Sequence, residues 1–229
     1  MASNFIIIDE QPEFIIVYKP ENISFHDDEN IGSGFFNQIK NQLNHDDLFP
    51  VHRLDKMTSG LMILAKNKSA AQQFQHLFSE HLIDKYYLAI SDKKPKKKQG
   101  LIKGDMAKSR RGSWKLLHST KNPAITQFFS FSLGLGKRLY LLRPLSGKTH
   151  QIRVALNSIG APIIGDNIYN ASSASDRGYL HAYALSFSFN SSIYQYIMPP
   201  KSGEIFATES TSEVIKNQIA PWTLNWPRV

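Results

Sequence analysis

The chain opens with short apolar runs separated by polar segments. Phe5–Ile8 and Phe14–Tyr18 are rich in aromatic and β-branched residues. The polar break between them, Asp9–Pro12, predicts that the two runs pair as a β-hairpin. A polar stretch from Asp27 to Asp47 follows and contains one predicted short helix, around Phe35–Leu43.

The middle of the chain changes from an apolar run to a helical repeat. Leu61–Ala65 is a compact apolar segment, and Ser69 and Gln72 after it have the spacing of a capping box. Apolar residues then recur every three or four positions, which predicts a helix over 69–81. Tyr86–Ile90 has the aromatic and branched composition of a strand.

Strand patterns return in the second half of the chain. Ala124–Phe131, Leu139–Leu142 and Leu180–Phe189 are predicted strands. Between the last two, a helix is predicted from a Thr149 cap to about Ser158, with Gly160 as its C-terminal stop. Strands and helices alternate without the regular rhythm of βαβ units, and no fixed repeat is present. The predicted fold class is therefore α+β, with a mixed or largely antiparallel sheet.

Charge is distributed unevenly along this 229-residue chain. It has 27 basic and 19 acidic residues, a formal net charge of +8 and a pI near 9.5. Residues 93–121 alone hold eleven Lys and Arg residues against one acid, Asp105. A surplus of this kind attracts polyanions such as nucleic acid or an anionic membrane surface. It is also compatible with a plain solvated loop.

The composition excludes several classes of protein and site. The chain has no cysteine, so disulfide scaffolds, thiol nucleophiles and thiolate zinc sites are excluded. His76 and His81 lie five residues apart, which does not place them on one helical face, and no metal site is expected. No segment approaches the roughly 18–20 apolar residues that cross a bilayer, and Met1–Asp9 lacks the features of a signal peptide. We expect a soluble cytoplasmic protein without membrane contact.

Two nucleotide-binding patterns are incomplete. Ser146–Thr149 has the residues that end a P-loop, but Leu142 stands where the loop needs its first glycine. Gly134 and Gly136 begin a dinucleotide fingerprint, but Leu139 occupies the third glycine position. Neither an NTPase nor a Rossmann site is supported.

The segment Val51–Leu61, VHRLDKMTSGL, combines a carboxylate, an arginine and a histidine beside a tight turn. Thr58, Ser59 and Gly60 suit such a turn, because short hydroxyl side chains bond to nearby backbone groups and glycine adopts unusual dihedrals. From spacing alone, Arg53 and Asp55 are compatible with a structural turn or a surface ion pair as well as with catalysis.

This segment resembles the signature of the RluA family of RNA pseudouridine synthases, His-Arg-Leu-Asp-x-x-Thr-Ser-Gly, in which the aspartate is catalytic. Further segments resemble other family elements in the family's order: Tyr18–His26, Lys85–Ala89, Arg143–Tyr169 and Leu180–Leu185. Asn22 replaces a usual glycine, although asparagine tolerates unusual turn geometry. Lys148 and Ala155 replace a common arginine and a frequent histidine.

The resemblance implies a bent central sheet flanked by helices, no cofactor, and Asp55, Tyr87 and Arg153 as catalytic residues. Arg153 would hold Asp55 ionised, from a helix face shared with His150 and Asn157 and largely opposite the core. RNA contacts are expected from His52, Arg53, Thr58, Lys96, Lys97, Lys98, Arg110, Arg111, Lys148 and His150. Taken without the resemblance, Arg153 is also compatible with an exposed helical arginine and Tyr87 with a buried strand aromatic.

The resemblance begins near residue 14, which leaves no room in this sequence for the S4-type RNA-binding domain of many relatives. We therefore expect one catalytic domain over 1–229, a monomer, that isomerises a specific uridine in an rRNA or tRNA stem-loop. Two alternatives stay open: a non-catalytic RNA-binding protein or RNA chaperone on the same scaffold, and an aspartate-dependent hydrolase of a small glycoside or nucleoside. The latter needs a second positioned carboxylate, and the sequence shows no obvious partner for Asp55.

Overall fold

The computed structural model describes residues 5–27, 32–43, 47–217 and 220–229. In chain order, these residues form β1 (Ile6–Glu10), β2 (Phe14–Lys19), α1 (Phe35–Leu43), β3 (Phe49–Pro50), β4 (Ser59–Ala65), α2 (Lys68–Ser79), β5 (Asp84–Ser91), β6 (Gln99–Gly104), β7 (Met106–Lys108), β8 (Trp114–Leu116), β9 (Ala124–Gly134), β10 (Lys137–Pro144), α3 (Gln151–Ser158), β11 (Leu180–Phe189), β12 (Ser192–Ile197) and α4 (Glu209–Lys216). Short 3₁₀ helices cover Arg110–Gly112 and Pro221–Thr223.

Among the described residues, ten strands form one large sheet. Its order is β1–β2–β4–β11–β5–β10–β9–β6, with β12 paired to β11 and β3 to β4. The pairs in this sheet are antiparallel except β4 with β11, which is parallel. Strands β7 and β8 form a separate antiparallel hairpin. The predicted α+β class with a mixed, largely antiparallel sheet is confirmed.

The apolar runs of β2 and β4 are buried on both faces. Successive strand residues point to opposite sides of a sheet, so one continuous run can serve two cores. Phe14, Ile16, Leu61 and Ile63 share a core cluster with Phe74 of α2, whereas Ile15, Val17, Met62 and Leu64 share one with Phe35 and Ile39 of α1. A helix on each side therefore fixes the sheet segment that leads into the VHRLDKMTSGL turn.

Most of the predicted elements are present. In the predicted hairpin, β1 pairs with β2 and Ile6 lies opposite Tyr18. Helix α1 and strand β11 have the predicted bounds, and β5, β9 and β10 contain the predicted strands. Asn22 has φ 60°, the left-handed conformation expected where relatives carry glycine.

The predicted start and end of α2 are wrong. The N-cap is Asn67, whose side chain accepts a hydrogen bond from the Ala70 N–H at 2.8 Å, and the helix begins at Lys68. Ser69 therefore lies inside the first turn and does not cap it. The helix ends at Ser79, two residues before the predicted end, and His81 has φ 57°, which is incompatible with a continuing α-helix.

The predicted cap of α3 is also wrong. The N-cap position is occupied by His150 and not by Thr149, and His150 has left-handed dihedrals, φ 56° and ψ 20°. The carboxamide of Gln151 accepts the Lys148 N–H at 3.0 Å and so organises the turn before the helix. Gly160, with φ 72°, follows the helix end as predicted.

The basic window 93–121 contains β6, β7 and β8, which its composition did not predict. Backbone pairing explains this, since β6 joins the sheet edge through β9 and β7 pairs with β8. The single acid of the window, Asp105, closes the base of the hairpin. Its carboxylate accepts the N–H groups of Lys121 and Asn122, at 3.0 and 2.8 Å. Strand β12 and helix α4 were likewise not predicted.

Of the helices that the described residues form, none has both the length and the apolar character needed to cross a bilayer.

Candidate functional site

Asp55 lies in a turn that is anchored by a buried lysine. The backbone carbonyl of Asp55 accepts the Thr58 N–H at 3.0 Å. The ammonium group of Lys19, a residue with no exposed surface, donates to the carbonyls of Pro20, Lys56 and Thr58 at 2.9, 3.3 and 2.9 Å. Two segments that are distant in sequence thus hold the turn in place.

Burial dominates the electrostatics of Lys19. It lowers the pKa of the ammonium to about 7, against the opposing attraction of Glu21 and Asp55. Lys19 belongs to a segment that resembles a family element, but its burial and its three carbonyl partners were not predicted. No local pattern signals that a charged residue at a strand end is fully buried.

Gly60 is required where β4 meets β11. It has φ 118°, and a Cβ at this position would lie 2.2 Å from the Ala182 carbonyl oxygen. Gly60 and Ala182 are partners in the parallel pairing of the two strands. Thr58, which lies two residues before Gly60 in the turn, is buried, so its side chain belongs to the interior of the turn.

Arg153 joins two carboxylates. Its Nη1 donates to Asp55 Oδ2 at 3.0 Å, while its Nε and Nη2 donate to the two oxygens of Asp166 at 2.7 and 2.8 Å. Burial disfavours the charged guanidinium, but hydrogen bonds and attraction from Asp166 and Asp55 outweigh it and raise the pKa of Arg153. Arg153 therefore stays charged beside Asp55.

The predicted environment of Arg153 is wrong, because the residue does not lie on a solvent face of α3. It is 5% exposed, and α3 is buried from Gln151 to Leu156. A buried guanidinium requires a buried acceptor, and Asp166, which has no exposed surface, supplies it. Asp166 was not predicted as a site residue, although it lies in the segment Arg143–Tyr169. The available signal was an acidic residue directly after Gly165 in that segment.

His150 and Tyr169 form a second polar contact with the carboxylate. His150 Nε2 lies 3.9 Å from Asp55 Oδ2, and its Nδ1 lies 3.0 Å from the Tyr169 hydroxyl. That hydroxyl also accepts a hydrogen bond from the backbone N–H of Trp114 in β8, at 2.8 Å. Burial, followed by the Arg153 charge, lowers the pKa of His150, although Asp55 opposes the shift.

Tyr87 and Tyr86 have different surroundings, as neighbours in a strand should. Tyr87 lines the same cavity as Asp55. Burial and the negative charge of Asp55 raise the pKa of Tyr87 above its ordinary value, so the phenol stays protonated at neutral pH. Tyr86 is fully buried and packs against Trp222 and Trp226, with ring centroids 6.4 and 5.8 Å away.

His52 lies in the cavity wall with one nitrogen already occupied. Its Nε2 accepts the Ile63 N–H at 2.9 Å, and its ring stacks on Phe78 with centroids 4.8 Å apart. Burial lowers the pKa of His52 to about 3, so the ring is neutral. Arg53, next to it, is exposed.

Two cavities, of about 670 and 500 Å³, meet at Asp55. Residues that line both are Arg53, Leu54, Asp55, His150 and Arg153. The larger cavity is also lined by Tyr87, His52, Thr58 and Lys148. Seven of the predicted site residues in addition to Asp55 are thus brought together: His52, Arg53, Thr58, Tyr87, Lys148, His150 and Arg153.

The other predicted basic residues lie apart from both cavities. Lys96, Lys97 and Lys98 precede β6, and Arg110 and Arg111 lie at the tip of the β7–β8 hairpin; all five are exposed. None lines either cavity. They are exposed cations that are not part of the cavity lining.

The sequence is similar to those of known proteins. A family model described as RNA pseudouridylate synthase matches residues 13–158. An uncharacterized RNA pseudouridine synthase of Haemophilus influenzae is 46% identical over 211 residues, which cover 92% of this chain and 94% of that protein. Ribosomal large subunit pseudouridine synthase C of Rickettsia bellii is 34% identical over 170 residues, 71% of this chain but 56% of that protein.

The fold is shared with two human structures. Human RNA Pseudouridylate Synthase Domain Containing 1 has a TM-score of 0.75 at 22% identity, with 94% of each chain covered. Human RNA Pseudouridylate Synthase Domain Containing 4 has a TM-score of 0.70 at 23% identity, with 92% of each chain covered. The family match, the relatives and the fold agree, and the chain belongs to the RNA pseudouridine synthases, a family of RNA-modifying isomerases.

Proposed function

We propose that this enzyme converts one particular uridine of a structured RNA, an rRNA or tRNA stem-loop, into pseudouridine, with Asp55 as the catalytic carboxylate. The observation that carries the proposal is the pairing of Asp55 with the buried, charged Arg153 in a cavity that Tyr87 also lines. A carboxylate can react only if it is ionised and correctly oriented. The charge of Arg153 favours the ionised form of Asp55, and its hydrogen bond favours one orientation.

The proposed reaction breaks the bond between C1′ and N1, turns the uracil, and forms a bond between C1′ and C5. The proton displaced from C5 is lost and N1 gains one, so atoms and charge balance. Asp55 acts on the sugar, either by attack on C1′ or by removal of a sugar proton. The reaction is redox-neutral and transfers no group to another molecule, so we expect full activity in chelator-treated protein without an added cofactor.

Tyr87 is proposed to stack on the target base and to assist proton movement there. The phenol is protonated at neutral pH and can therefore donate a hydrogen bond to the base. A base within a helix must be extruded before reaction, and we propose that exposed Arg53 fills the space it leaves.

We propose that the exposed cations of the basic window contact RNA phosphates. Phosphate neutralisation supplies most non-specific affinity for nucleic acid. Lys96–Lys98, Arg110 and Arg111 do not line either cavity. This supports contact with phosphates and not recognition of the target base. We further propose that residues 1–229 act as one catalytic domain and as a monomer in the cytoplasm.

The deciding experiment compares the wild type with Asp55→Asn and with Asp92→Asn, a matched change of an exposed aspartate. RNA labelled with tritium at uridine C5 releases the label when pseudouridine forms. Asp55→Asn should bind RNA and melt like the wild type but release no tritium, because an amide neither attacks C1′ nor accepts the proton. Release within about tenfold of wild type would refute the role, since a nucleophile or base contributes far more.

The same assay separates the alternatives. A non-catalytic RNA-binding protein would bind the labelled RNA without releasing tritium in its wild-type form. A hydrolase of small glycosides or nucleosides would release no tritium from RNA and would instead liberate free uracil from uridine, which chromatography of the products detects. Since the Rickettsia relative is named for the large ribosomal subunit, large-subunit rRNA is the first substrate to assay.

A further inference from the structure

A line of polar contacts runs from the β7–β8 hairpin to the carboxylate of Asp55. The backbone N–H of Trp114 in β8 donates to the Tyr169 hydroxyl at 2.8 Å, and this hydroxyl lies 3.0 Å from His150 Nδ1. On the other side of the imidazole, His150 Nε2 faces Asp55 Oδ2 at 3.9 Å. The role proposed above for Asp55 does not use Tyr169 or the tautomer of His150.

The contacts of the Tyr169 hydroxyl bear on which ring nitrogen of His150 carries the proton. A phenol has one hydrogen to donate, and here the oxygen already accepts the Trp114 N–H. The hydroxyl hydrogen is then available to His150 Nδ1, which lies 3.0 Å away. A neutral imidazole that accepts at Nδ1 carries its hydrogen on Nε2, so the donor N–H faces Asp55.

The backbone of His150 contributes to this geometry. The residue has φ 56° and ψ 20°, a left-handed conformation that non-glycine residues rarely adopt and that tends to occur at functional sites. It lies directly before α3, the helix that carries Arg153. One short segment therefore presents two donors, His150 Nε2 and Arg153 Nη1, to the same carboxylate oxygen.

We propose that Tyr169 and His150 are positioning residues: Tyr169 fixes the tautomer of His150 so that its Nε2–H, together with Arg153, holds Oδ2 of Asp55 and leaves Oδ1 to the substrate. The inference rests on the proposed catalytic role of Asp55. At 3.9 Å the imidazole contact is longer than a hydrogen bond, and catalytic contacts of this kind commonly tighten in the substrate complex. Through its bond to the backbone of Trp114, the same hydroxyl also fixes the position of the β7–β8 hairpin relative to Asp55.

The first test is spectroscopic. Protein labelled with ¹⁵N in histidine gives two-bond ¹H–¹⁵N correlations that identify the protonated ring nitrogen. The His150 signals, assigned by their loss in His150→Gln, should show one tautomer with the proton on Nε2. In Tyr169→Phe the preference should be lost. A proton on Nδ1 in the wild type would overturn the proposal.

The second test is kinetic. Tyr169→Phe removes the hydroxyl but keeps the ring, over which the Arg153 guanidinium lies at 5.1 Å, so the buried arginine stays covered. We expect kcat to fall about tenfold, equivalent to one hydrogen bond in the transition state, with KM for RNA nearly unchanged. The matched control is Tyr194→Phe, since the ring of Tyr194 in β12 packs against Phe14 of β2 and Phe187 of β11. This control should retain wild-type kcat.

Two substitutions of His150 separate positioning from packing. Glutamine can still direct an N–H towards Asp55, whereas alanine cannot, so His150→Gln should be several times faster than His150→Ala. Equal rates for the two, or wild-type kcat in Tyr169→Phe, would overturn the inference. If Asp55→Asn keeps activity, the proposed function is refuted. If Asp55→Asn is inactive but the Tyr169 and His150 variants keep wild-type activity, Asp55 keeps its proposed role and the positioning role of Tyr169 and His150 is refuted.

Discussion

Replacing Asp166 should destabilise the whole protein as well as the site. Its fully buried carboxylate accepts two hydrogen bonds from Arg153 and the N–H groups of Ile168 and Tyr169, at 3.0 and 3.1 Å. Asp166→Asn keeps the side-chain volume but removes the charge and one acceptor. Loss of one partner of a buried ion pair costs about 3–5 kcal/mol. Because Asp55 remains 3.0 Å from Arg153, we expect the lower end, about 3 kcal/mol.

This loss can be measured by calorimetry and by urea unfolding. For a chain of this size, it corresponds to a fall of roughly 6–12 °C in the thermal midpoint. The control, Asp92→Asn, changes an exposed carboxylate that lies 4.0 Å from Lys93 and should leave the midpoint almost unchanged. In an Arg153→Met background, Asp166→Asn should cost far less, since the carboxylate has lost its partner.

A loss below about 1 kcal/mol for Asp166→Asn in the wild-type background would refute this reasoning, because it would mean that the buried ion pair contributes no more than an exposed one. The variant should also lose kcat while still binding RNA, since Arg153 would no longer be held against Asp55. Unchanged kcat would show that Arg153 does not need its second carboxylate.

Three further outcomes are expected. Tyr87→Phe should impair tritium release far more than RNA binding, whereas Tyr86→Phe should leave release nearly intact because Tyr86 packs in the core; the reverse pattern would contradict the proposed role of Tyr87. Converting Lys96–Lys98 to alanine should weaken cognate and unrelated RNA alike and make the salt dependence shallower; a shifted modification site would show that these lysines select the target. Burial lowers the pKa of His181 from 6.5 to about 3, so the unfolded chain binds a proton in this range that the folded chain does not. Stability should therefore fall as the pH drops from 6.5 towards 3, and His181→Gln should reduce the slope of the unfolding free energy against pH; an unchanged slope would refute the linkage.

The local pattern of apolar residues was sufficient to predict the elements with a strong apolar signal. The strands β2 and β4 are buried on both faces, so they appear in the sequence as unbroken apolar runs, and the hairpin and α1 follow from similar patterns. The motif around Asp55 was likewise readable, because its spacing resembles that of a known family. Catalytic roles for Asp55, Tyr87 and Arg153 stay predictions until the variants are measured.

Only the tertiary structure decided how polar residues are buried and paired. Arg153 and Asp55 are 98 positions apart, and Lys19 and Thr58 are 39 apart, so no local periodicity connects them. The start of α2 depended on which side chain reached the free N–H groups, and Asn67 does so although Ser69 has similar chemistry. At the start of α3, no side chain caps the helix and His150 occupies the N-cap position by its backbone conformation. The strands of the basic window are held by backbone pairing, which does not require an apolar pattern. Sequence therefore determined the apolar framework and the motif, whereas the fold determined the charged contacts that complete the site.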